Sequence, residues 1–421
     1  MSLSKRWIGL ILLLIVCLLS LGATLAQDTA TQPTEDLPFA DWFILKASSA
    51  ANWDLISNED DNLRFTLKLK QPLETDIPEK RVLALFTKQS SSYDVAIDRI
   101  LSIFLSKKIP VTFEAINFKK DAALGEQALD YARQQNFDLI FSVGSDSTDF
   151  VFSHFTNNET IPVVTVTSKD PVLLGYLKDY ETGSNTNIAY TSLNVRIDLQ
   201  MIYLQQLIPD LKNIAVFYSE TNTSAKETQV EPLRDVAKDY NINVIDIQVK
   251  DKALKDQGLG LRDAAFREGV QAQLREIMPG VVAEITRSDP SHQSSIFWIT
   301  GTTEVFNEIQ TINELSGEIP VLSAVPDVVR AGSDSAILSI GVSFESNAHL
   351  AALYAVDILL GQAKPGDLPV GLVSPPDIAI NFMKAREIGL KIPFSFFESA
   401  SIVYDYEGKL VRKGGQVVTT N

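Results

Sequence analysis

Cysteine is almost missing from this chain. The one copy, Cys17, lies inside an apolar run behind bulky Val16, where a lipid-attachment cysteine follows a small residue, so it reads as hydrophobic filler. No cysteine remains after Ala26, so the rest of the chain forms no internal disulfide and must rest on its core. Histidine is nearly as scarce. His154, His292 and His349 share no short metal-ligand spacing, and no metal site is expected. The patterns GxSxG, GxxxxGK[ST] and GxGxxG do not occur, which removes the signatures of hydrolase elbows, phosphate-cradling loops and dinucleotide turns. No histidine stands near a strand exit to activate the many serines, so no catalytic residue and no cofactor are assigned. Positive charge is short as well. The 37 Lys and Arg face 53 Asp and Glu for a net charge of −16, a balance that repels nucleic acid and anionic lipid headgroups.

What is present is length and apolar content. The 421 residues, 45% of them hydrophobic, suit two lobes or domains and exclude wholesale disorder. Lys5 and Arg6 precede the uncharged run WIGLILLLIVCLLSLGATLA, Trp7 to Ala26, which ends in small residues. This is the pattern of a signal peptide, so export to the periplasm or cell surface is expected. The run is also long enough to span a bilayer, and an uncleaved amino-terminal anchor stays open as the alternative. Loss of Lys5 and Arg6 with the signal takes the charge to −18. Residues 27–79 are acidic and proline-punctuated. Their one alternating stretch, LRFTLKLKQ, either adds an edge strand or belongs to a small appended segment.

From Arg81 short apolar runs alternate with amphipathic helical patterns. Strands are predicted at 82–87, 111–116, 139–143, 163–167, 214–218, 244–249, 296–300, 321–325 and 336–342. The helical patterns between them include YDVAIDRILSIFLSKK and VEPLRDVAKDYN. Such alternation implies an α/β fold with parallel sheets covered by helices on both faces. Two runs of this kind flank a linker near 187–194, each the size of one doubly wound lobe. In open parallel sheets, ligands bind beyond the carboxyl ends of the strands.

Those ends share a composition. The predicted exits read TKQSSSY from Thr87, GSDST from Gly144, SKDP from Ser168, SETNTS from Ser219, GTT from Gly301, and Pro326-Asp327. Ser, Thr, Asn and Asp also cap ordinary helices, yet six such exits, three from each half, point to a shared cleft. Asp146 and Asp149 are not read as an acid/base pair, because acids suit the first turn of any helix. Among the aromatic residues near the exits, Phe150 and Trp298 follow apolar periodicity and are assigned to the core. Tyr218 and Phe344, directly at exits, are candidates to stack on a flat ligand. The Asn-x-Thr/Ser triplets at Asn158 and Asn222 are taken as chance.

Several stretches resemble one family, in order. IPVVTVTSKDPVLLG, LIPDLKNIAVFYSETNTSAKE, IPVLSAVPDVVRAG and the closing ALYAVDILLGQAKPGDLPVGLVSPPDIAINFMKAREIGLKIP are similar to segments of the ABC-transporter substrate-binding proteins of the tryptophan and tyrosine type, over roughly Arg81 to Ala400. The resemblance implies a type I periplasmic-binding-protein architecture, with two Rossmann-like lobes, a three-strand hinge and a ligand clamped between them. On that template residues 80–190 and 344–367 form lobe 1, 191–343 and 368–400 form lobe 2, and 401–421 are a tail.

Position by position, the resemblance puts the family's hydroxyl residue on Ser145, its acids on Asp170 and Asp327, and its asparagine on Asn222, with Ser224 close behind. Ser145 and the amides after it would hold a ligand carboxylate, while Asp170 and Asp327 would face an ammonium. Together with the exits this gives a ligand-binding set of Thr87, Ser90, Ser145, Ser147, Thr148, Asp170, Tyr218, Asn222, Ser224, Thr302, Asp327 and Phe344. The chain departs from the family with Asp146 in place of proline, Thr302 in place of an aspartate, Lys169 before Asp170, and a longer 250–290 region. These departures weaken the case for an aromatic amino acid as ligand. Asp146, Asp170, Glu220 and Asp327, with Lys88 and Lys169 as the evident counter-charges, favour an amine-bearing or zwitterionic solute. The expected partners are that small molecule and a membrane ABC permease, with the chain a monomer and not an enzyme. A sensor signalling to a membrane partner and an exported hydrolase are the alternatives.

Overall fold

The computed structural model describes residues 35–58, 61–156 and 159–418. The run Trp7–Ala26 and Asn158 lie outside them. A hairpin of β1 (Leu37–Phe39) and β2 (Phe43–Leu45) opens the described chain. It is followed by β3 (Trp53–Asn58), β4 (Asp61–Leu69), β5 (Lys80–Phe86), β6 (Val111–Asn117), β7 (Leu139–Val143), β8 (Val163–Val166) and β9 (Ile188–Ala189). These last seven form one sheet in the order β3-β4-β6-β5-β7-β8-β9.

From β6 to β9 every pairing is parallel, and β7 and β8 are buried along their whole length. Burial on both faces is why they read as unbroken apolar runs rather than alternating ones. The alternating stretch 63–71 runs along β4 and past its end. It pairs antiparallel with β3 and β6, so of the two readings of this stretch the added strand is the one observed, and β3, beyond it, is the edge. The hairpin is also bound to that lobe. Trp42, Phe43 and Phe65 pack together and against Phe86, and the Ile44 N–H donates to Asp94 Oδ1 at 3.0 Å.

The second sheet contains β10 (Asn213–Ser219), β11 (Asn243–Val249), β12 (Ser295–Ile299), β13 (Val321–Ser323), β14 (Leu338–Gly341), β15 (Asp377–Asn381), β16 (Ile402–Tyr404), β17 (Leu410–Lys413) and β18 (Gln416–Val417). Their order is β11-β10-β12-β13-β14-β15-β16-β17-β18. Strands β10 to β14 are parallel, and β15 enters antiparallel to β14. The stretch expected as a tail instead supplies the edge strands β16, β17 and β18.

The chain passes between the two sheets near 190–197, at 341–344 and at 368–377. After β14 the helix Phe344–Leu359 packs on the helix Ser91–Ser106 of the first lobe. Ala348, Ala351, Ala352 and Ala355 make the contact possible, since alanines at helical spacing let two backbones approach closely. Asn347 on the same helix is fully buried and fastens the crossings. Its Oδ1 accepts from the Thr167 N–H, and its Nδ2 donates to Thr191 Oγ1 and the Ser192 carbonyl. The two-lobed, parallel-dominated α/β architecture expected from the sequence is the one observed.

Candidate functional site

The carboxyl ends of both sheets face a common gap. From the first lobe come Lys88, Ser90, Ser145, Asp146, Thr167 and Lys169, and from the second Asn222, Ser224, Gly301, Thr303 and Phe306, with Phe344 at a crossing. Local sequence explains the turn from β7 into the exit Gly144-Ser145-Asp146. Gly144 has a φ of 86°, and a Cβ there would meet the Tyr93 hydroxyl at 2.0 Å. Only glycine both adopts that backbone and leaves room for the tyrosine.

The gap is closed. Ser90 Oγ lies 3.2 Å from Thr303 Oγ1, Lys169 Nζ donates to the Gly301 carbonyl at 3.1 Å, and Lys88 Nζ lies 3.9 Å from Glu304 Oε1. The cavity left between them is about 40 Å³, room for a few waters.

Charge is concentrated here. Burial lowers the Lys169 ammonium to about 7, with the like charge of Lys88 adding to the effect and Glu304 opposing it. Burial also works against the charge of Glu304, but Lys88 and Lys255 outweigh it and hold the carboxyl at about 2. Lys88 itself is held above the ordinary lysine range, because Glu304 and Asp146 overcome its own burial. Lys255 pairs with Asp251 at 2.6 Å and Glu304 at 2.8 Å. Asp146 pairs with Lys120 at 2.9 Å and with Lys88 at 3.9 Å, so its charge is met from within the protein.

The predicted residues divide. Ser90, Ser145, Asn222, Ser224 and Phe344 line the small cavity together. Thr87 lines an adjoining chamber. Ser147 and Thr148 turn inward: Ser142 Oγ bonds to both hydroxyls, and Ser147 donates on to the Leu85 carbonyl. Thr302 is fully buried beside Thr300. Tyr218 packs in the core of the second lobe, because the alternation along β10 turns its ring to the helix side of the sheet.

The two acids expected to face an ammonium are engaged by the protein itself. Asp170 accepts from the Val172 and Leu173 N–H groups and from the Tyr180 hydroxyl. Asp327 accepts from the Phe344 N–H, and burial pushes its carboxyl up to about 6. Asp170 caps its own loop, Asp327 caps the start of the helix Phe344–Leu359, and neither lines the small cavity. Glu220 likewise accepts from the Lys252 N–H.

Sequence reading missed Glu304, Lys255 and Lys120. Each is a charged residue in a short helix or loop, a setting in which solvation is the default, and only the folded chain shows that Glu304 is 1% exposed. The available signal was position: Glu304 directly follows the polar exit Gly301-Thr302-Thr303, and Lys120 and Lys255 follow the ends of β6 and β11.

Fold and site together define a two-lobed α/β protein with its polar strand tips turned on one gap. The family model described as ABC transporter substrate binding protein matches residues 107–256. A comparison with curated protein sequences gives no match. Among solved structures, a conserved domain protein from Vibrio cholerae aligns with a TM-score of 0.57 at 17% identity, covering 77% of this chain and 99% of that one. A domain from Streptococcus pneumonia in complex with L-Trp aligns at 0.56 and 18%, covering 77% and 100%. The ligand-free, open form of a substrate binding protein with adhesive properties from Clostridium difficile aligns at 0.54 and 19%, covering 76% and 98%. The resemblance to ABC-transporter substrate-binding proteins is thus borne out. Fold and family resemblance are those of solute-binding proteins, which carry a ligand rather than transform it.

Proposed function

We propose that this chain is the exported solute-binding component of an ABC transporter. It closes its two lobes around a small polar solute, amino-acid-like or amine-bearing, and presents the closed form to a membrane permease. The observation that carries this reading is the meeting of strand tips across the gap, at Ser90 with Thr303 and at Lys169 with Gly301. A hinge fold with such contacts has a defined closed state, and a ligand favours that state in proportion to its extra contacts there. Asp146 is already met by Lys120 and Lys88, so the acid left for an amine is Glu304. Lys169, which pairs with no carboxylate among the described residues and donates only to the Gly301 carbonyl, is a cation left for a carboxylate. The hydrolase alternative draws no support, because no histidine lines the cavity beside Ser90 or Ser145.

A thermal-shift screen of amino acids, nucleosides and small amines tests the reading. Amine-bearing compounds are expected to raise the melting temperature. Hits confined to dicarboxylates or inorganic anions would contradict the ligand class, and hydrolysis of an ester or amide lost with a single serine would contradict the function.

A further inference from the structure

The inner cavity, at about 40 Å³, is too small for an amino-acid-sized molecule. Beside it lies a chamber of about 480 Å³ that shares Lys88 with it. Its walls come from both lobes, with Thr87 and Asn117 on one side and Thr221 and Lys255 on the other. Three stretches for which the sequence suggested no role complete it: Asp41 and Trp42 of the hairpin, Lys119 and Lys120 beyond β6, and residues 259–263 beyond β11.

Three polar atoms of residues lining this chamber are buried and have no hydrogen-bond partner among the described residues: Thr87 Oγ1, Gln89 Oε1 and Glu304 Oε2. Glu304 is the most telling. Its Oε1 receives Lys255 at 2.8 Å and Lys88 at 3.9 Å, while Oε2 receives nothing. A buried charged oxygen without a donor is costly, and a bound donor removes the cost. Gln89 Oε1 is a second acceptor in the same lining. The other cations are largely spoken for: Lys120 by Asp146, Lys252 by Asp256 at 3.8 Å, and Arg262 by Asp94 at 3.4 Å. Lys119 pairs with no carboxylate among the described residues, which leaves one free cation in the lining.

We infer that this chamber, rather than the inner cavity, seats the solute, and that the solute is a zwitterion. Its ammonium bonds Glu304 Oε2 and Gln89 Oε1, and its carboxylate lies toward Lys119. The inner contacts at Lys169 and Ser90 form the latch beside it. This inference rests on the solute-binding reading and assigns that reading its pocket and ligand chemistry.

Calorimetric titration of the purified protein with free amino acids, their N-acetyl derivatives and their amides tests it. The parent should prefer the free amine over its N-acetyl derivative by about tenfold or more. That preference should vanish in Glu304→Gln, and the preference for free carboxylate over amide should fall in Lys119→Ala. Circular dichroism checks that each variant is folded, and Gln89→Leu carries the same test should Glu304→Gln unfold. If both preferences survive in these variants while Ser145→Ala abolishes binding, the chamber assignment is overturned and solute binding stands. If the parent binds no member of the panel, the zwitterion is overturned, and the solute-binding reading falls with it only where the thermal-shift screen of nucleosides and small amines gives no hit either.

Discussion

The ammonium of Lys169, on the loop after β8 in the first lobe, donates to the carbonyl oxygen of Gly301 after β12 in the second, at 3.1 Å. Few contacts in the gap join the lobes so directly, and this one depends on a missing side chain. A Cβ on Gly301 would stand 2.0 Å from Lys169 Nζ.

Gly301→Ala should therefore fold but lose the latch. The obstructed atom is the far end of a flexible lysine, which can swing aside where a backbone atom could not. Small-angle scattering without solute should give a larger radius of gyration for the variant than for the parent, with little change in melting temperature. An unchanged radius would show that the latch does not hold the lobes.

Lys169 also gives stability a pH signature. Burial brings its folded value down to about 7 from the ordinary 10.5. Between those values the unfolded chain holds a proton that the folded chain has given up, so stability rises with pH across that window. The full penalty for burying the charge is present below pH 7. From pH 7 to 9 the expected gain is about 2 kcal/mol. Asp94 and Asp327, both pushed up to about 6 by burial, are largely past their titration in that range. Urea unfolding of the parent and of Lys169→Met at pH 7, 8 and 9 measures the difference, and parallel curves would contradict it.

Trp42→Ala tests whether the amino-terminal hairpin belongs to the first lobe. Trp42 is 2% exposed, stacks on Phe65 at 5.3 Å, and donates its indole N–H to the Asn62 carbonyl at 2.8 Å. Emptying that position should cost about 3–5 kcal/mol in urea unfolding. A loss near zero would mean that the hairpin merely rests on the lobe.

The sheets were legible because most of their strands are buried on both faces. LIFSV at 139–143 coincides with β7, and the other eight predicted strands lie within two residues of observed ones at each end. What escaped lies where that signal fails. No strand is predicted at Asp377–Asn381, which forms β15 inside the closing stretch that resembles the family, and the strands β16 to β18 are partly exposed and too mixed to stand out. The cleft was half legible. Short hydroxyl residues at strand exits mark a gap, but the same residues cap helices, and sequence could not separate Ser145, which lines the cavity, from Ser147, which turns into the core. Charge was harder still. Asp170 and Asp327 looked free and are held by backbone N–H groups, whereas Glu304 and Lys255 looked solvated and meet one another inside the gap. Those pairings join residues far apart in the chain, and no local pattern encodes them.

Opening and closing around a solute is tested most directly by locking the gap. Ser90 Oγ and Thr303 Oγ1 are 3.2 Å apart across the lobes, so Ser90→Cys with Thr303→Cys places two sulfurs within bridging reach. Uptake of an amino acid that the parent binds should be at least about a hundredfold slower in the oxidised double variant and return to the parent rate on reduction, since a lobe that cannot open blocks entry. Equal rates in the locked and reduced forms would contradict a solute held by closure of the two lobes.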